Sequence, residues 1–199
     1  MTEPDPEQGI NLSHHETVPD WKAMRAGGVL FASVTVSEGM NWSDPAASRQ
    51  AVEARRAGIH TGARHCARPS AVHEQATHFV RTGEQLDAFA PGSLAPALDV
   101  RFEGVDDRFI RGWIKAVRRA AKVQRVLIYA DFEQWAHRLH PDKWADSEVV
   151  LWLTRHNGIP GRPGWFHSRL GIHQHDAGPG GAVGHDSIVY PFTLADMLL

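Results

Sequence analysis

The sequence has almost no cysteine: Cys66 stands alone among 199 residues. An internal disulfide is therefore impossible, and the fold must be held by its core. Long apolar runs are missing too, and none approaches the roughly 18 residues that mark a membrane-spanning helix. Positive charge is not in excess, with 21 Lys and Arg against 23 Asp and Glu and a formal charge of −2. Nothing in that balance points to a nucleic-acid binder, which needs a basic face. The opening stretch, residues 1–8, is acidic and contains proline, and it lacks the basic and apolar regions of a secretory signal. It is expected to be a flexible segment ahead of one domain over residues 9–199. The chain is accordingly expected in the cytoplasm or in a phage-associated setting, with neither a membrane nor a nucleic acid as partner.

What is present is an ordinary apolar fraction, 42%, with 7 Trp and 13 His. Tryptophan is used in cores or to stack on flat ligands, sugar rings among them. Apolar β-prone runs alternate with helix-like segments. Strands are expected at 9–12, 29–36, 59–65, 94–100, 126–129, 149–153, 171–174 and 187–190. Helices are expected at 19–26, 46–57, 71–81, 106–121 and 132–139, the fourth carrying Phe109, Ile110, Trp113, Ile114 and Val117 near a 3.6-residue period. Asp44-Pro45 is a helix-start signal, and Gly27-Gly28 and Gly58 are stops. Alternation of this kind predicts a parallel α/β sheet, and eight strands with helices thinning out late predict a barrel. The glycine-rich stretch 178–184 is followed by no helix, so it is neither a P-loop nor a dinucleotide fingerprint.

Several segments, in order, carry a resemblance. They are Gly9-Ile10-Asn11-Leu12-Ser13-His14-His15, Val18 to Trp21, Ser37-Glu38-Gly39, Asp44-Pro45, and Ala57-Gly58-Ile59 with Gly62 to Pro69. They continue with Leu94 to Val100, Ile128-Tyr129, Leu151-Trp152-Leu153, His173-Gln174-His175 and His185-Asp186. Together these resemble the family 25 glycoside hydrolases, lysozymes that cut the glycan strand of peptidoglycan. The resemblance implies an irregular TIM-like (β/α) barrel with fewer helices than strands. It places the site at the C-terminal ends of the strands. Peptidoglycan or another cell-wall glycan is the implied partner, and no cofactor is implied.

The resemblance fails where the chemistry is concentrated. Glycosidic cleavage normally takes two carboxyl groups, one of them a proton donor. In the family a D-x-E pair on one strand supplies that donor, since residues i and i+2 face the same way. Here the strand reads Asp99-Val100-Arg101, and an arginine cannot act as a general acid near working pH. The family's first-strand Asp is Asn11, its G-A-Y-H tyrosine is Arg64, and its W-Q tryptophan is His173.

Asp99 and Asp186 remain as catalytic candidates, with Glu38 and Glu103 as substitute acids. Glu103 lies roughly 6–7 Å beyond Arg101 if the strand continues. The ligand-binding candidates are Asn11, His14, Arg64, His65, Arg101, Tyr129, Trp152, His173 and Gln174. Trp152 is the expected sugar platform, whereas Trp21, Trp113 and Trp135 are expected in the core, with Cys66 as a small core residue. A set of His14, His65, His173 and His175 with Asp99 and Asp186 suits zinc. Hydrogen-bonding pocket histidines are the preferred reading, and no metal is assigned. Arg101 pairs with Asp99 or, with Arg64, holds an anionic group. Three functions follow: an impaired lysozyme-like module that binds glycan, an active muramidase, or a scaffold subunit with protein partners and a vestigial pocket.

Overall fold

The computed structural model describes residues 5–178 and 182–199. Among these residues nine strands and five α-helices follow one another as β1 (Gln8–Leu12), α1 (Trp21–Ala26), β2 (Val29–Glu38), β3 (Trp42–Ser43), α2 (Ala47–Arg56), β4 (His60–Cys66) and α3 (Val72–Glu84). The order continues with β5 (Ala97–Asp99), α4 (Asp107–Ala121), β6 (Val126–Asp131), α5 (Phe132–His137), β7 (Val149–Thr154), β8 (Leu170–Asp176) and β9 (Gly184–Ile188). Eight strands close into a barrel in the order β1-β9-β8-β7-β6-β5-β4-β2, with β2 pairing back onto β1. The expected irregular barrel with fewer helices than strands is the architecture found.

Two features differ from the sequence expectation. The two-residue β3 pairs antiparallel with the end of β2 and extends the wall above β1. The last strand, β9, runs antiparallel to both neighbours, so the sheet is mixed. The physical reason is the link between β8 and β9. It is far shorter than the dozen or more residues that a parallel crossover needs. Part of the glycine-rich stretch expected there, residues 179–181, lies outside the described residues, as do residues 1–4 of the terminal segment. Gln8, placed in that segment by the sequence, already belongs to β1, and the Glu7 carboxylate accepts the Leu194 N–H at 2.6 Å.

Strand alternation divides the side chains into two apolar clusters. Outside the barrel, Ile10, Leu12, Val34, Ala63, Leu98, Ile128 and Leu153 meet the helices. The α4 stripe Phe109, Ile110, Trp113, Ile114 and Val117 packs onto them as its periodicity predicted, and Asp106 caps that helix by accepting the Phe109 N–H at 2.9 Å. Trp21, Trp113 and Trp135 are buried in this layer. Inside, Phe31, Ala97, Leu127, Val150, Ile172 and Ile188 fill the lower bore, and Leu94, Leu194 and Met197 belong to the same cluster. A Cβ on Gly9 would lie 2.2 Å from the Phe31 ring, so the bore is filled to contact there. One turn of strand higher the same inward positions become polar, and that change of chemistry creates the site.

Candidate active site

Each of the eight barrel strands delivers a polar side chain to the upper bore. They are Asn11 from β1, Thr35 from β2, Arg64 from β4, Asp99 from β5, Tyr129 from β6, Trp152 from β7, Gln174 from β8 and Asp186 from β9, all of them buried. At the bottom lies Asp186, with no exposed surface. Its Oδ1 accepts the Trp152 indole N–H at 2.8 Å, and its Oδ2 accepts from Asn11 Nδ2 at 2.8 Å. Asn11 in turn accepts from Arg64 Nη1 at 3.0 Å, and Arg64 Nε and Nη2 both donate to Thr35 Oγ1. The chain of donors therefore runs from a buried cation, through an amide, to a buried carboxylate. Burial raises the Asp186 carboxyl to about 7, against the opposing pull of Asn11, Trp152 and Arg64. Gly184 makes room for the network: a Cβ there would lie 2.5 Å from Gln174 Nε2 and 2.6 Å from Asn11 Nδ2.

Above this layer sits the pair that replaces the expected D-x-E motif. Arg101 Nε donates to Asp99 Oδ1 at 3.0 Å and Nη2 donates to Oδ2 at 2.8 Å, a two-pronged ion pair. The Arg101 backbone N–H adds a third bond to Oδ1 at 3.1 Å. Burial opposes the guanidinium charge, but Asp99 more than offsets it and moves the Arg101 pKa upward. The guanidinium also lies over the Tyr129 ring, 4.6 Å from its centroid, and Arg64 lies 5.4 Å from the same centroid. The Tyr129 hydroxyl donates to Gln174 Oε1, and burial pushes its pKa up to about 12.

Not every sequence candidate belongs to this group. His65 and His173 alternate with inward residues and so face away from the bore. His65 bonds Ser37 Oγ at 2.8 Å and Gln75 Oε1 at 3.1 Å and packs beside Phe79, and burial lowers its pKa to about 4. His173 Nε2 donates to the Arg155 carbonyl at 2.9 Å. Both are therefore corrected from ligand contacts to wall residues. Trp152 is corrected as well: fully buried beneath Asp186, it presents no face to a sugar. Among the described residues no group of three or more His, Cys, Asp or Glu is placed to hold a metal ion.

Glu38 and His14 stand on the rim. Glu38 is engaged by Arg68, whose Nε donates to Oε1 at 2.7 Å. His14 is held by Asp44, which accepts from its backbone N–H at 2.9 Å and meets Nδ1 at 3.0 Å. Glu103 is exposed in the β5–α4 loop and lines a groove with Arg101, Phe102, Asp106, Asp131, Glu133 and Arg138.

Sequence reasoning missed Thr35 and Arg68, and it misplaced Cys66. Thr35 is legible in retrospect as a polar residue on the inward period of an apolar strand. Cys66, expected in the core, lies on the inward face of β4 near Asp99, and burial with that carboxylate lifts its pKa to about 12, far from a nucleophile's range.

A model of the glycosyl hydrolases family 25 matches residues 10–179 of this chain. Lysozyme M1 of Streptomyces globisporus is 30% identical over 143 residues, covering 64% of this chain and 47% of the relative, so the chain spans about half the length of that protein. Among solved structures, a muramidase from Acremonium alcalophilum superposes with a TM-score of 0.73 at 21% identity, covering 91% of this chain and 92% of the other. The catalytic domain of an endolysin from a bacteriophage of Listeria monocytogenes gives 0.78 at 15% identity, covering 95% and 96%. At these identities the two structural likenesses establish the fold.

Proposed function

We propose, since the chain belongs to glycosyl hydrolase family 25, that it is a lysozyme-fold protein that binds a peptidoglycan-type glycan and cleaves it poorly or not at all. The observation that carries this reading is the Arg101–Asp99 pair. It occupies the place where the family pattern has a second carboxyl, and it neutralises the carboxylate that is left. Hydrolysis needs a protonated carboxyl within reach of the leaving oxygen. Arginine offers no such proton. Glu38 is tied to Arg68, and Glu103 stands in the exposed β5–α4 loop, on a groove that Arg101 also lines, outside the buried bore that holds Asp99 and Asp186. Binding does not require the missing proton, because ground-state affinity and transition-state stabilisation are separable.

One observation favours a second reading, a working muramidase. Asp186, with its pKa near 7, is a carboxyl that is partly protonated at neutral pH. Against this, it has no exposed surface and is sealed by Asn11 and Trp152. A cytoplasmic or phage-associated setting is part of the same proposal.

The test uses purified cell walls, with reducing-sugar release and co-sedimentation measured together. The expected result is sedimentation with the walls and little or no sugar release. Efficient release by the natural protein overturns the proposal in favour of the muramidase. Neither release nor sedimentation leaves a scaffold. The double reversion Arg101→Glu with Asn11→Asp is expected to gain release where the natural sequence has none.

A further inference from the structure

We infer that the glycan contact surface is an aromatic rim formed by Trp42 and Phe102, on one side of the barrel mouth, in place of the buried Trp152. This rests on the proposed glycan-binding function and assigns it a place. Trp42 and Phe102 are 37% and 45% exposed, in a molecule whose other tryptophans are mostly buried. Both belong to the site end of the barrel. Trp42 pairs with Glu38 in the β2–β3 hairpin, Glu38 pairs with Cys66 in β4, and Cys66 pairs with Asp99 in β5, two residues before Arg101 and three before Phe102. Arg68 bridges from the Phe102 ring to Glu38, the partner of Trp42. Three strand pairings separate Trp42 from Asp99, a backbone span of roughly 14 Å. That is the reach of a short oligosaccharide laid across the rim.

Each ring is held in place. Phe102 is capped by Arg68, whose guanidinium carbon lies 3.8 Å from the ring centroid, and the same guanidinium grips Glu38. Trp42 packs against the His14 ring, with centroids 5.1 Å apart, and its backbone carbonyl accepts from His78 Nε2 at 2.8 Å. His14 is in turn clamped by the buried Asp44. An exposed aromatic ring held by polar braces loses little side-chain freedom on binding, which lowers the entropic cost of association. The rim also has the mixed character of a sugar site: apolar ring faces for the carbon-bound hydrogens of a pyranose, with Glu38, Arg68 and His14 between them for hydroxyl and amide groups. The occupant is a β-1,4-linked N-acetylhexosamine strand. Among the described residues, the other exposed phenyl and phenol rings, Phe166 and Tyr190, are 84% and 80% exposed, and neither belongs to the segments that form this rim. Phe166 therefore serves as the control.

The experiment measures binding of a soluble β-1,4-linked N-acetylglucosamine oligomer, and of purified walls, by the natural protein and by Trp42→Ala, Phe102→Ala, Trp42→Phe and Phe166→Ala. Thermal denaturation runs alongside to confirm that each variant is folded. Trp42→Ala and Phe102→Ala are expected to weaken oligomer binding at least tenfold, Trp42→Phe to weaken it about threefold or less, and Phe166→Ala to leave it unchanged. If walls and oligomer bind the natural protein and both alanine variants equally well, the rim is wrong while the proposed function stands. If the natural protein binds neither, both fall together. A tenfold loss in Phe166→Ala matching that in Trp42→Ala also overturns the assignment, because the effect is then not local to the rim.

Discussion

Replacing Asp186 by Asn separates the effect of burying a charge from the effect of the bonds that hold it. In the natural protein the carboxyl sits at about 7, raised from 3.8 by burial. The folded state therefore holds a proton between those values that the unfolded state has released. Stability is highest below the unfolded pKa and is lost as pH rises through the folded pKa. The displacement corresponds to about 4 kcal/mol between acid and mildly alkaline pH. The introduced amide does not titrate, so that share of the pH dependence disappears. The substitution has a separate, pH-independent cost. Its oxygen serves only one of the two donors, Asn11 Nδ2 and Trp152 Nε1, and losing the other bond costs about 1–3 kcal/mol. Asn11 cannot turn its amide to help, because its oxygen is already engaged by Arg64. The variant is thus expected to be less stable than the natural protein at pH 4 and equally or more stable at pH 8. Urea unfolding across that range measures this, provided the slope with denaturant stays constant. A difference that is flat with pH would refute the reasoning, since Asp186 would then be ionised throughout and fully compensated by its three neighbours.

Other changes probe the same architecture. Trp152→Phe keeps the ring but removes the N–H from Asp186, and it is expected to cost about 2–4 kcal/mol in urea unfolding. Oligosaccharide affinity should be unaffected, and a loss of affinity without a loss of stability would return Trp152 to a contact role. His65→Gln tests the opposite pH sign. The buried imidazole sits at about 4 rather than 6.5, so its contribution is present above 6.5 and is lost as pH falls towards 4. The variant should lack that acid-side slope, about 3 kcal/mol, in unfolding midpoints between pH 4 and pH 7. Asn11→Asp combined with Arg64→Tyr should be non-additive. The carboxylate introduced at position 11 has Arg64 as its counter-ion in the single variant and only Asp186 beside it in the double. A thermodynamic cycle giving additivity within about 0.5 kcal/mol would show that the two positions are not coupled.

The barrel was legible because its signals are long and redundant. The α4 stripe, Phe109 to Val117, repeats over about two and a half turns, and β6 and β7 are continuous apolar runs of the kind that two-sided burial demands. Strand ends moved by a few residues. The last strand, expected at 187–190, is Gly184–Ile188, and β5, expected from Leu94 to Val100, is reduced to Ala97–Asp99. Leu94 instead points into the lower bore and bridges to Leu198 near the chain's end, a pairing with no local signal. The site was half legible. Asn11, Arg64, Asp99, Arg101, Tyr129, Gln174 and Asp186 do converge. His65 and His173 failed because motif position ignores strand alternation: each neighbours an inward residue, Arg64 or Gln174, and so must face outward. Trp152 failed for the reverse reason. It does face inward, but at a depth where the bore is already full.

The replacements in the site are better explained as one coupled change than as separate losses. A carboxylate at position 11 would face Asp186 across the 2.8 Å now bridged by the Asn11 amide, and two buried carboxylates at that distance cannot both ionise. Asn11 removes the conflict and supplies a donor. That amide then has a free oxygen in a water-poor bore, and Arg64 satisfies it while bringing a positive charge to balance Asp186. Arg101 does the same one layer higher for Asp99. Each surviving acid thus has an arginine, Asp99 directly and Asp186 through one amide. In a glycosidase the two carboxyl groups must differ in protonation and be open to substrate. Here one is sealed and the other is neutralised by a partner that cannot lose its charge. On the proposed reading, the same substitutions that satisfy both acids of the bore withhold them from a substrate, Asp186 by burial and Asp99 by its ion pair, while the rim above them stays open.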